Sequence, residues 1–112
     1  MPRTHGRHTP AFLLLLLADG PSYGALLFNR LKAELPFCLS DSAIVYRSLK
    51  QMERQRLVTG RWVHADSGQP RRWYSLTSRG ERALRDYAQD IRRRRANLQF
   101  FLDRYDAIQV KP

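Results

Sequence analysis

Three cations, Arg47, Lys50 and Arg54, recur at i, i+3 and i+7 and therefore share one face of a helix. A row of fixed positive charges neutralises phosphates, and a few side chains beside it can reach base edges in a major groove. Tyr46 lies at the edge of this face and offers a hydroxyl at phosphate height. Ser42 and Ala43, at the start of the same helix, are placed to face bases, and Arg47 can join them. A second basic group, Gln69, Arg71 and Arg72, follows a polar turn, where it can lie along a phosphate backbone or enter a minor groove. Taken singly, each of these is an ordinary solvated side chain. Their combination points to a nucleic-acid partner.

Other chemistries find no support. His5 and His8 are three residues apart and His64 is distant, which leaves a metal short of a third ligand of fixed geometry. No paired carboxylates, phosphate-cradling glycine loop or nucleophile beside a base is present, so neither an enzyme nor a cofactor is expected. Cys38 is the single cysteine; it reads as a buried or half-buried thiol beside Phe37 and fits a reducing cytoplasm.

The elements that must position the basic residues follow from periodicity. Thr9-Pro10 starts a helix through Ala18, with Thr9 as its cap; Phe12 to Leu17 make it apolar all round and hence buried. This apolar run is far too short to span a bilayer, and Asp19-Gly20-Pro21 follows it where a signal peptide would have a cleavage site. Ser22 is expected to cap a second helix to about Leu35, with Leu27, Leu31 and Leu35 inward. Ser40 and Asp41 cap a third helix to about Gln55, whose core stripe is Val45, Leu49 and Met52. The period then changes. Residues 57–63 and 71–76 are β-prone and flank a Gly/Pro turn, which makes a hairpin with Trp73 and Tyr74 on opposite faces.

Thr77 caps a last helix reaching about Asp106. Along it Leu84, Tyr87 or Ala88, Ile91, Leu98, Phe101 or Leu102, Tyr105 and Ile108 step by threes and fours, a heptad seam. Such a long stripe exceeds what a small domain can cover, so Leu84, Tyr87, Ile91, Leu98, Phe101, Leu102 and Tyr105 are expected to form a homodimer interface. Arg92–Arg95 interrupts the seam; Arg94 and Arg95 are read as snorkelling out of it or lining a polar gap for an anion. The fold class expected is α+β, mainly α. A winged helix-turn-helix over residues 10–76 precedes a dimerisation helix over 77–109, with a basic arm at 1–9 and a tail at 110–112.

Composition agrees with this division of roles. The 112 residues carry 20 Lys and Arg against 10 Asp and Glu, a net charge of +10, which favours a polyanionic partner. The excess is spread out: residues 1–76 hold eleven basic and five acidic residues, and 77–112 hold nine and five. A membrane surface is the weaker reading of that charge, because the cationic face lacks an adjoining insertable stripe. RNA or a protein partner remains the alternative to duplex DNA for this fold.

The stretches Leu13–Leu31, Ala43–Trp62 and Pro70–Leu84 resemble the PadR family of bacterial transcription regulators. The likeness spans about residues 11–88. It rests on the Gly20-Pro21-Ser22-Tyr23-Gly24 turn, on Tyr46, Leu49, Glu53 and Leu57-Val58, and on Arg72-Trp73-Tyr74-Ser75-Leu76-Thr77 with Gly80 close behind. The resemblance implies a dimeric winged-helix repressor of the short subfamily, acting on a palindromic operator and often relieved by an aromatic or drug-like small molecule. By position, Tyr46 corresponds to the family's phosphate-contacting tyrosine, and Arg71 and Arg72 to the basic residues of its wing. The implied effector pocket lies at the dimer interface between the first and last helices, with Phe12, Leu16, Phe100 and Phe101 as its lining. Three places depart from the pattern: after Gly24 the family pattern leads to Tyr-Glu or similar, and Ala25-Leu26 stands here. Arg47 stands where the family usually has Pro, adding to the attraction for phosphates. Arg56 replaces a Gly, and either a left-handed backbone there or a reshaped link into the hairpin is expected.

Overall fold

The computed structural model describes residues 7–38, 40–64 and 68–109. The expected arm at Met1–Gly6, Asp66 at the hairpin tip and the tail at Val110–Pro112 lie outside the described residues.

A helix apolar on every side is stable only where neighbours surround it, and α1 (Thr9–Leu17) meets that condition. Ala11, Leu13, Leu14, Leu16 and Leu17 are buried, and α1 packs against α2 (Gly24–Glu34), α3 (Ser42–Arg54) and α4 (Ser78–Gln109). Pro10 sits in the first turn, as read from the sequence, but Thr9 is not the cap. His8 occupies that position without a side-chain cap bond, and the buried Thr9 hydroxyl instead hydrogen-bonds the hydroxyl of Ser40. This bond joins the start of α1 to the chain just before α3.

Gly20, at φ +141°, turns the chain out of α1 in a conformation that side chains disfavour. The next residues correct the sequence reading. Ser22 caps nothing: Ser22–Tyr23 form a short strand, β1, and Tyr23 is the N-cap of α2 with no side-chain cap bond. The Ser22 hydroxyl faces inward, 3 % exposed, with no hydrogen-bond partner among the described residues. β1 pairs antiparallel with β3 (Arg71–Leu76), and β3 with β2 (Val58–Val63), giving the strand order β1-β3-β2. Two residues in a Gly/Pro turn carry too little pattern to announce a strand; the edge of β3 recruits them.

The α3 stripe is as expected, with Val45, Leu49 and Met52 all buried in one cluster with Leu13, Leu27, Leu31, Val58 and Tyr74. Asp41 caps α3, its carboxylate accepting from the Ile44 amide at 2.8 Å. The other end of α3 closes as a Schellman turn. The Leu57 amide reaches the Met52 carbonyl at 2.9 Å and the Arg56 amide reaches that of Glu53 at 3.0 Å. The residue between must be left-handed, and Arg56 is, at φ +63°.

α4 starts where Thr77 ties three pieces together. Its hydroxyl accepts from the Gly80 amide at 3.0 Å and donates toward the Leu57 carbonyl at 2.9 Å. Gly80 is required there, because a Cβ would collide with that same carbonyl. At about 1.5 Å per residue, a helix of 32 residues far outruns the domain. The molecule is accordingly 65 Å long but only 28 by 24 Å across.

Candidate nucleic-acid interface

Burial of Val45, Leu49 and Met52 turns the opposite face of α3 to solvent. Ser42, Ala43, Tyr46, Arg47, Lys50 and Arg54 are all exposed there. Arg54 donates to the Gln51 side chain at 2.9 Å, which holds it at the C-terminal end of the face. Tyr46 has a fixed seat: its ring lies against Gly24, where any Cβ would overlap it. The Gly-Pro-Ser-Tyr-Gly turn is therefore the rest on which α3's tyrosine lies, which explains a glycine at the first position of α2.

The hairpin β2–β3 stands beside α3 as a wing. Alternation puts Val58, Gly60 and Trp62 of β2 with Arg72, Tyr74 and Leu76 of β3 on the face turned toward α3. Tyr74 is buried at its base, whereas Trp62 near its tip is 60 % exposed. Burial is the main cause that raises the Tyr74 phenol above its ordinary pKa. On the other face Trp73 meets Tyr23 edge-on at 5.0 Å between centroids, and the Arg71 guanidinium lies 4.4 Å over the Tyr23 ring. Gln69 and Pro70 are exposed at the approach to the tip.

Between α3 and the wing lies an open cleft of about 410 Å³, walled by Tyr46, Lys50 and Glu53 on one side and by Trp62, Arg71 and Arg72 on the other. The fold thus gathers Tyr46, Lys50, Arg71 and Arg72 around one concavity. Arg47 faces elsewhere, along a shallow groove with Pro10, Ser48, Gln51 and Tyr87. Sequence reading overlooked three contributors: Tyr23 as the platform under Arg71, Gly24 as the seat of Tyr46, and Glu53, which pairs with Arg72. The Gly-Pro-Ser-Tyr-Gly motif held the signal for the first two.

A separate groove of about 320 Å³ runs between α1 and α4, lined by Phe12, Leu15, Leu84, Tyr87, Ala88 and Ile91 among others. Of the four aromatic and aliphatic residues read as an effector pocket, Phe12 lines this groove. Leu16 is instead in the core at 7 % exposure, and Phe100 and Phe101 lie further along α4, exposed. There Arg104 covers Phe100 at 5.0 Å, and Phe101 stacks on Tyr105. Leu98, Phe101, Leu102, Tyr105 and Ile108 continue the seam in the open. Within the arginine run, Arg94 donates to Asp90 at 2.7 Å, and that bond is the main cause holding the Asp90 carboxyl below its ordinary pKa. Among the described residues no cluster of three His, Cys, Asp or Glu side chains is disposed to hold a metal, and no helix is long and apolar enough to cross a membrane.

Three helices, a short strand and a two-stranded wing, with a basic helix face beside that wing, define a winged helix-turn-helix transcription regulator. The chain belongs to the PadR-like family of transcriptional regulators, whose profile matches residues 13–86, about two thirds of its length. Among similar structures, a PadR family transcription regulator from Clostridium difficile aligns with a TM-score of 0.71 at 23% identity, over 85% of this chain and 98% of its own. A PadR-like transcription factor from Bacteroides fragilis aligns at 0.68 and 24% identity, over 86% and 91%. Bacillus subtilis PadR, solved in complex with operator DNA, aligns at 0.67 and 24% identity, over 73% of this chain and 47% of that longer one. Comparison with curated proteins returns no match.

Proposed function

We propose that the protein is a homodimeric repressor that binds a roughly palindromic operator through α3 and the wing, and releases it when a small aromatic molecule binds. The observation that carries this reading is the exposed surface of α3, where Tyr46 and Lys50 stand beside a basic wing and Arg47 and Arg54 extend the positive charge along the helix. In this reading residues 10–76 form the DNA-binding unit. Ser42 and Ala43 face bases from the helix start. Arg47, Lys50, Arg54 and the Tyr46 hydroxyl neutralise or hydrogen-bond phosphates, and Gln69, Arg71 and Arg72 bring the wing to the same backbone. The relative from Bacillus subtilis crystallised with operator DNA supports the reading by analogy of fold.

The homodimer rests on the distal half of α4, within residues 77–109. Its exposed Leu98, Phe101, Leu102 and Tyr105 continue the stripe of Leu84, Tyr87 and Ile91, and a second copy of the same stripe is the simplest cover for it. Two copies of α3 then meet successive major grooves about 34 Å apart, which sets half-sites one turn apart. The groove beside Phe12 is the place for an effector, walled in when the partner's helix closes over it.

The test is a fluorescence-anisotropy titration of the protein with DNA from upstream of its own gene, against scrambled DNA, at several salt concentrations. The reading expects tight binding that prefers the upstream sequence and weakens steeply with salt. Equal affinity for both DNAs would overturn it. Preference for single-stranded or 2′-OH-bearing RNA would instead favour RNA as the partner.

A further inference from the structure

Glu53 and Arg72 are 19 residues apart in sequence, and both are half-buried where they meet in the cleft between α3 and the wing. Around this pair the local structure is built for a guanidinium. The Arg72 group lies 5.5 Å over the Trp62 ring, while one of its N–H groups engages the carboxylate. Gly60, one step further down β2 on the same face, leaves the space it occupies: a Cβ there would stand 2.8 Å from Arg72 Nε. Gly60 has no positive φ to explain it. Four features thus converge on one side chain: an ionic partner on the recognition helix, an aromatic lid, a glycine gap and a half-buried setting.

We propose that Arg72 is a positioning residue: its ion pair with Glu53 latches the wing to α3 and fixes the angle between the two elements that grip the operator. This rests on the DNA-binding reading above and alters one part of it. Arg72's charge is balanced inside the protein by Glu53, so the wing's phosphate attraction falls to Arg71 and to the exposed Arg61. The latch also assigns Glu53 a function, which a carboxylate on a phosphate-facing helix otherwise lacks. It offsets a neighbouring cation and, unpaired, would repel DNA.

The two roles for Arg72 make opposite predictions for changes that leave Arg72 itself intact. Glu53→Gln frees the guanidinium and removes a negative charge. As a phosphate contact Arg72 would then bind DNA more tightly; as a latch it lets go of α3, and affinity falls about fivefold. Gly60→Ala alters no charge but displaces the guanidinium from its place, and a similar fall is expected. Arg72→Lys keeps the charge but loses the planar group that reaches Glu53 while covering Trp62, so it should behave like Glu53→Gln. In all three the slope of log affinity against log salt stays at the wild-type value, whereas loss of one phosphate contact lowers it by about 0.9.

The experiment is a set of salt-dependent anisotropy titrations of these variants on the operator, together with amide hydrogen exchange of the free proteins. The latch predicts weaker binding at unchanged slope, and faster exchange in Arg61–Val63 with α3 protection retained. Unchanged or tighter binding by Glu53→Gln, or a reduced slope in Arg72→Lys, would overturn it. If the wild-type protein binds no DNA, the exchange arm still decides: wing protection unchanged in Glu53→Gln and Gly60→Ala would sink the latch independently of the DNA reading.

Discussion

The two ends of this chain treat their apolar residues in opposite ways. From α1 to β3, Leu13, Leu14, Leu27, Leu31, Val45, Leu49, Met52 and Val58 are almost wholly removed from water. Along the distal half of α4, Leu98, Phe100, Phe101, Leu102 and Ile108 are about half or more exposed. The core of the first region is completed within one chain, although Leu15, Phe37 and Trp62 at its surface stay exposed. The second is a well-formed helix whose apolar stripe would be covered in the proposed homodimer. A side chain buries about 1.5–3 kcal/mol of transfer free energy when fully covered. Leaving several of them in water on one helix is what an unassembled interface looks like.

The largest effect should come from breaking the distal half. Phe101→Asp places a charge in the middle of the proposed seam and should cost at least about 2 kcal/mol of dimerisation. Sedimentation should then find monomers, while circular dichroism keeps the helical signal of a domain that Phe101 does not touch. Next comes the charged face of the first region. Lys50→Ala should weaken operator binding about tenfold and lower the salt slope by about 0.9, with the dimer intact. A shift toward monomer with normal DNA affinity would contradict that separation of roles.

Two smaller changes sharpen the comparison inside the first region. Arg56→Gly relieves the left-handed turn after α3 and should stabilise the fold by about 1 kcal/mol, read from thermal unfolding. Asp41→Ala removes the cap at the other end of the same helix and should destabilise by about 1 kcal/mol. Opposite signs at the two ends of α3 are the expected outcome. Neither variant should alter the dimer.

What the sequence revealed follows from how local each signal is. The stripe Val45, Leu49, Met52 and the cap Asp41 lie within one helix, and period and residue type sufficed to place them. Arg56 stood out only through the family resemblance, because it replaces a usual Gly; the Schellman turn that makes it left-handed is seen in the structure. Signals across the chain were not readable. Thr9 looked like a cap, yet its hydroxyl is bonded to Ser40, 31 residues away. Ser22 looked like another, yet β3 draws it into a sheet. At the site, the basic face of α3 was legible from spacing alone. The pairing of Arg72 with Glu53 and the exposure of Trp62 depend on the angle at which the wing meets α3, and the seat of Tyr46 on Gly24 on how α2 packs against α3; no local pattern encodes either. Alternation showed that Trp73 and Tyr74 oppose each other; packing decided that Tyr74 goes inward.

The contrast between a finished domain and an unfinished helix is tested most directly by the mass of the protein in solution. Sedimentation velocity of the wild-type chain at micromolar concentration should show a single species of twice 13.1 kDa. A monomer under those conditions would leave the α4 seam without its proposed partner and would contradict the account.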